Sequence, residues 1–137
     1  MTYLLDTNIL SELIKKRPSS HLLSQLRSKP SHSLHTSSIC VMELRFGSAM
    51  REDFEKFWSK ITKEIISRVN IVSLGENEAL VAGDVLANMR RTGQTTNIED
   101  ILIASSAITH NLILVTANTR HFSKIKDLKI ENWLEPL

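Results

Sequence analysis

The sequence predicts a three-layer α/β domain, with a mostly parallel central sheet flanked by helices and residues 1–137 forming one unit. Short apolar runs alternate with longer stretches of helical periodicity from end to end. No repeat, low-complexity segment or linker interrupts them. The length, 137 residues, suits one domain with a real core, and 42% hydrophobic and 23% charged residues are ordinary for a soluble chain.

In chain order, Tyr3-Leu4-Leu5 reads as a buried strand, followed by a helix carrying Ile9, Leu10, Leu13 and Ile14. Residues 19–29 form a helix between Pro18 and Pro30, with Leu22, Leu23 and Leu26 on one side. Leu34 to Ser38 is a second strand, and Ser37 or Ser38 caps a helix from Ile39 to Met50. Arg51 to Arg68 reads as one long helix with a stripe of Phe54, Phe57, Trp58, Ile61, Ile65 and Ile66. Val69 to Leu74 is a third strand. Glu76 to Arg91 is a helix (Ala79, Ala82, Val85, Leu86, Met89) closed by Gly93. A helix over Ile98–His110, a strand over Leu112–Val115 and a short strand over Leu128–Ile130 complete the order.

The totals exclude several classes. No segment approaches the ~20 apolar residues of a membrane span, and the opening Met-Thr-Tyr-Leu-Leu-Asp has no signal-peptide pattern, so a cytoplasmic location is expected. The single cysteine, Cys40, cannot form an internal disulfide or a cysteine zinc cluster and reads as a small core residue. A net charge of +2 neither requires nor excludes a nucleic-acid partner.

The informative residues are acids in apolar settings. Asp6 follows the first strand, where open α/β sheets bind ligands, and is read as the first ligand of a metal site; the alternative is that Asp6 or Asn8 caps the next helix. At about 100° per residue, Glu43 shares a sector with Ile39, Met42, Phe46, Ala49 and Met50, the face expected to meet the core. A carboxylate there needs a partner, unless it swings to solvent or pairs with Arg45 or Arg90. Gly47, four residues on, leaves room for a close approach. Asp100 opens a helix that is apolar nearly all round (Ile101, Leu102, Ile103, Ala104, Ala107, Ile108), with Thr96 and Glu99 at capping-box spacing; Asp100 itself either serves the site or complements the helix dipole. Thr116 and Asn118 follow the apolar run Leu112–Val115 as Thr7 and Asn8 follow Leu5, and Asn118 is alternatively the cap of a short helix. One cleft explains all of these positions. Carboxylates gathered in it repel, and a hard divalent cation, Mg²⁺ or Mn²⁺, relieves the repulsion and suits phosphodiester hydrolysis.

Asp6-Thr7-Asn8, Glu43 with Gly47, Asp100-Ile101-Leu102-Ile103-Ala104, and Thr116-Ala117-Asn118 with Phe122 together resemble the PIN domain, above all the VapC-type toxins of bacterial toxin–antitoxin pairs. The likeness runs from Tyr3 to the ending Ile130-Glu131-Asn132-Trp133. It implies a PIN-like fold and a Mg²⁺- or Mn²⁺-dependent endoribonuclease acting on transfer or ribosomal RNA. It also implies a homodimer, a cognate antitoxin that silences it, and DNA contact only through that antitoxin. The metal ligands carry over to Asp6, Glu43 and Asp100, and Thr7 and Thr116 support them by hydrogen bonding. The fourth acidic position of the family is Asn118 here, and His121 stands where many relatives have an acid; it reads as a surface or loop histidine.

Candidate phosphate contacts are Lys15-Lys16-Arg17, Arg45, Arg90, Arg91 and Arg120, with Arg45 and Arg90 alternatively facing the antitoxin. The exposed edge of the Phe54–Ile66 stripe is a plausible groove for an antitoxin helix. Two other classes remain. A phosphatase with an aspartyl nucleophile usually wants a second Asp two residues after the first, where Asn8 stands, and no phosphate-cradling glycine loop is present. A non-catalytic, antitoxin-bound co-repressor has Asn118 and the modest charge as its support.

Overall fold

The computed structural model describes residues 1–136. Its centre is a five-stranded sheet in the order β3-β2-β1-β4-β5, every neighbouring pair parallel. The elements run β1 (Tyr3–Leu5), α1 (Thr7–Glu12), α2 (Ser20–Arg27), β2 (Leu34–Ser37), α3 (Ser38–Ala49), α4 (Phe54–Glu64), β3 (Asn70–Val72), α5 (Glu76–Arg91), α6 (Ile98–Thr109), β4 (Ile113–Val115), α7 (Thr119–Phe122) and β5 (Ile130–Glu131). Among the described residues no helix is long and apolar enough to cross a membrane.

Successive residues of a strand point to opposite faces of its sheet. Leu4 and Leu5 of β1, like Leu114 and Val115 of β4, are all buried, so helices cover both faces and the layers number three. Trp133 fixes the carboxy-terminal segment to this core. It is buried, meets Tyr3 edge-on at 4.9 Å, and donates from Nε1 to Oε1 of Glu131 at 2.9 Å.

The strand order creates the crevice. From β1 the chain winds outward through β2 to β3, then returns to the other side of β1 for β4 and continues to β5. Connections leave β1 and β4 in opposite senses, and the gap at their carboxyl ends is where such sheets hold ligands. Asp6 directly follows β1 and Thr116 directly follows β4. Backbone hydrogen bonds from Asp6 N to Val115 O (3.1 Å) and from Thr116 N to Glu131 O (3.0 Å) fix that edge.

Four sequence expectations are corrected. The stretch 51–68 is not one helix: α4 starts only at Phe54, because Arg51 turns back to grip Asp53 at 2.7 and 3.0 Å, and after Glu64 the chain tightens into a 3₁₀ turn over Ile66–Arg68. On α3 the inward face is Cys40, Leu44 and Ser48, whereas Met42, Phe46 and Met50 are 49%, 67% and 74% exposed. The capping box at Thr96 and Glu99 does not form; Asn97 caps α6, its Oδ1 accepting from Asp100 N at 2.8 Å. The last strand lies at Ile130–Glu131, not 128–130. The expected closure of α5 does occur, with Gly93 in the left-handed region at φ 70°.

Candidate active site

Asp6 is buried at the start of α1, and its Oδ1 accepts from the amide of Ile9 at 3.0 Å. The reading of Asp6 as the cap of the next helix therefore holds, with one carboxylate oxygen committed to the helix. Burial is the main cause that raises the proton affinity of Asp6 above the usual carboxylate range, and the nearby charges of Asp100 and Glu43 push the same way. Hydrogen bonding from the Thr116 side chain and from the Ile9 amide offsets part of it. Thr116 is fully buried, and its Oγ1 also accepts from the Asn118 amide at 3.0 Å, which shapes the turn after β4.

Glu43 comes from the middle of α3. It sits at the border of the inward face, half-buried, and its Oε1 accepts from the Thr7 hydroxyl at 2.6 Å. It does not pair with Arg45, whose guanidinium stacks over Phe54 and Trp58 at 4.5 and 4.9 Å from the ring centres. Asp100, in the first turn of α6, has Oδ2 held by His121 Nε2 at 2.7 Å and by the Asn97 side-chain amide at 3.2 Å. His121 Nε2 also meets the Thr96 hydroxyl. His121 is thus corrected from a surface histidine to a neighbour of the acidic cluster. Asn118 is exposed; it stands just before the first residue of α7 without using its side chain as a cap.

The structure brings Asp6, Thr7, Glu43, Asp100 and Thr116 to one end of the sheet, and adds Asn97, which sequence reasoning missed, and His121, which it read as a surface or loop histidine. Asn97 was detectable, since Asn favours the position just before an apolar helical run, but Thr96 and Glu99 offered a competing pattern. His121 stood out only by its place in the resemblance, and its partner Asp100 lies in another element.

The donors suit a hard cation. Apart from His121 all are oxygens, and Oε2 of Glu43 and Oδ1 of Asp100 have no hydrogen-bond donor among the described residues. The chemistry of Asp6, Glu43 and Asp100 therefore fits a Mg²⁺-like ion. Among the described residues no three acidic, histidine or cysteine side chains stand close enough together to hold a metal ion.

A cleft of about 450 Å³ leads away from Thr7 and Glu43, past Gly47 and Ser48, to Lys15 and Arg51. A β-carbon at Gly47 would touch nothing within 4 Å, so this wall is open. Lys15 pairs with Glu12 at 2.9 Å, and Lys16, Arg17, Arg90, Arg91 and Arg120 lie exposed. A larger groove of about 930 Å³ lies away from the acids, lined by Leu10, Leu13, Leu23, Leu26 and Ile65 and edged by Arg68.

Residues 3–128 match the family model described as the PIN domain. The chain is 32% identical to a ribonuclease VapC2 of Rickettsia felis over 97% of its own length and 98% of that protein. It is 29% identical to the tRNA(fMet)-specific endonuclease VapC of Shigella flexneri, again over 97% and 98% of the two chains. Among solved structures it superposes, at a TM-score of 0.87 and 31% identity, on a chain of VapBC2 from Rickettsia felis bound to a promoter DNA fragment, covering 97% of this chain and 99% of that one.

Proposed function

Since the chain belongs to the PIN-domain family, among the ribonucleases named VapC, we propose that it is a Mg²⁺- or Mn²⁺-dependent endoribonuclease and the toxin of a toxin–antitoxin pair. The observation that carries the reading is that the buried Asp6 lies at the same end of the sheet as Asp100 and Glu43, whose charges add to the burial that makes its ionisation harder. A bare site of this kind is costly in ionised form, and a divalent cation offsets that cost.

Asp6, Glu43 and Asp100 are the residues that would hold the ion. When bound, such an ion supplies charge at a phosphoryl oxygen and an activated water. The protein does the rest. Thr7 aims Glu43, Asn97 and His121 hold Asp100, and Thr116 steadies both Asp6 and the turn that follows β4. Lys15 and Arg51, at the far end of the cleft, are suited to RNA phosphates. Transfer RNA is the substrate class we favour, on the strength of the Shigella relative's name.

The partners follow the same reading. The large groove, with its leucines and Ile65 rimmed by Arg68, suits the apolar face of an antitoxin helix. The exposed Met42, Phe46 and Met50 would be covered in a homodimer, and DNA would be reached only through the antitoxin.

The test is incubation of the purified, antitoxin-free protein with total RNA and with transfer RNA, in Mg²⁺, Mn²⁺ or EDTA. Discrete fragments that require metal support the proposal, and their ends identify the target. Absence of cleavage by folded protein on every RNA supplied would favour the co-repressor reading.

A further inference from the structure

Gly47 stands inside α3, where glycine is a poor helix former. Packing does not call for it, since a β-carbon there would meet nothing within 4 Å. The missing side chain instead leaves room in the wall of the cleft of about 450 Å³. Glu43 precedes Gly47 by four residues, about 6 Å along the helix axis, so this room adjoins the acids. The buried Leu44 and Ile61 give the cleft an apolar floor.

At the far end of the same cleft, Arg51 is held as a flat plate. Its Nε and Nη2 donate to the two carboxylate oxygens of Asp53 at 2.7 and 3.0 Å, and its guanidinium carbon lies 3.9 Å from the centre of the Phe57 ring. Arg51 is exposed, so the side of the guanidinium away from Phe57 is open. Asp53 offsets much of the charge and leaves the plane. Guanidinium planes are surfaces on which unpaired bases stack. Nη1 has no partner among the described residues, so the edge of Arg51 can meet a phosphate while its face takes a base.

We infer that this cleft is a subsite for one unpaired nucleotide of the RNA next to the cleaved bond, its base stacked on the Arg51 guanidinium beside the open wall at Gly47. The inference rests on the ribonuclease reading above and adds to it the place where a flanking base is held. It also narrows the substrate to a loop or single strand, because the bases of a duplex have no free face.

The experiment is binding of two fluorescein-labelled strands to the whole protein in EDTA, read by anisotropy. One is a short oligouridylate; the other has the same backbone, length and charge but no bases. Wild type should bind the oligouridylate roughly tenfold more tightly than the abasic strand. Arg51→Lys keeps the charge and loses the plane, and Gly47→Leu fills the open wall with a good helix former. Each, checked for fold by circular dichroism, should lose most of that preference, whereas Gly47→Ala should keep most of it. Equal binding of the two strands by wild type would overturn the subsite. An undiminished preference in either Arg51→Lys or Gly47→Leu would also overturn it, and would leave the cleft to a protein partner. Cleavage of total RNA in Mg²⁺ by the same preparation separates the two readings. Metal-dependent cleavage without base preference would overturn the subsite alone, and base preference in a protein that cleaves nothing would overturn the ribonuclease reading alone.

Discussion

The hydroxyl of Thr7 donates a 2.6 Å hydrogen bond to Oε1 of Glu43, thirty-six residues away in sequence. It joins the first turn of α1 to the middle of α3, and it places the second acid of the site next to the first. Hydrogen bonds to charged groups are typically worth about 1.5–3 kcal/mol. Thr7→Val should therefore lower kcat/KM for RNA roughly 10- to 100-fold with little change in stability, whereas Thr7→Ser should retain most activity. Cleavage kinetics on one RNA, beside thermal melts, checks both.

Asp6 gives a stability prediction with a definite sign. Its proton affinity is raised in the folded chain, so the native state holds a proton that the unfolded chain releases near the ordinary carboxylate value of 3.8. Stability of the metal-free protein should accordingly fall as pH rises from that value through the raised native one, and the loss should persist at neutral pH. Asp6→Asn keeps a good helix cap and removes the charge. In EDTA at pH 7 it should melt at a higher temperature than wild type, by about 4 °C for each kcal/mol regained. It should also lose the stabilisation that Mg²⁺ is expected to give wild type through the proposed site.

The cap of α6 separates the sequence expectation from the structure. Asn97→Ala should destabilise the fold by about 1 kcal/mol in urea unfolding, because the amide of Asp100 loses its acceptor. Thr96→Ala should cost clearly less, since Thr96 caps nothing and its side chain meets only His121. Equal losses would return the cap to Thr96.

Cys40 is wholly buried, and burial pushes its thiol up to about 11. Thiolate is the reactive form. Native protein at pH 8 should therefore react with a thiol reagent orders of magnitude more slowly than unfolded protein, as absorbance of the released chromophore would record.

The sheet and most helices were legible because they depend on short-range pattern. Leu112 to Val115 is apolar without a break, and α6 is apolar nearly all round, so each declares a buried element by itself. The positions of Asp6, Glu43 and Asp100 were legible as acids in apolar settings. For Glu43, however, the physical reason differs from the expected one. Its helix turns Met42, Phe46 and Met50 outward, and Glu43 reaches the cleft from the border of the inward face. Amphipathic reasoning assumes that the larger apolar side chains face the core, and on α3 the small Cys40 and Ser48 do so instead. The break before α4 depends on Arg51 closing on Asp53, a local pairing that hydrophobic periodicity does not register. His121 depends on Asp100, in a different element, and only the assembled fold brings them together.

The most direct measurement is cleavage of a labelled transfer RNA by wild type, Asp6→Asn and Asp100→Asn, with Mg²⁺ or Mn²⁺ and with EDTA, each variant first confirmed as folded. A metal site built on these acids predicts metal-dependent fragments from wild type and at least a thousandfold slower cleavage by either variant, about 4 kcal/mol in barrier. Cleavage that survives in both folded variants, or in EDTA, would contradict it.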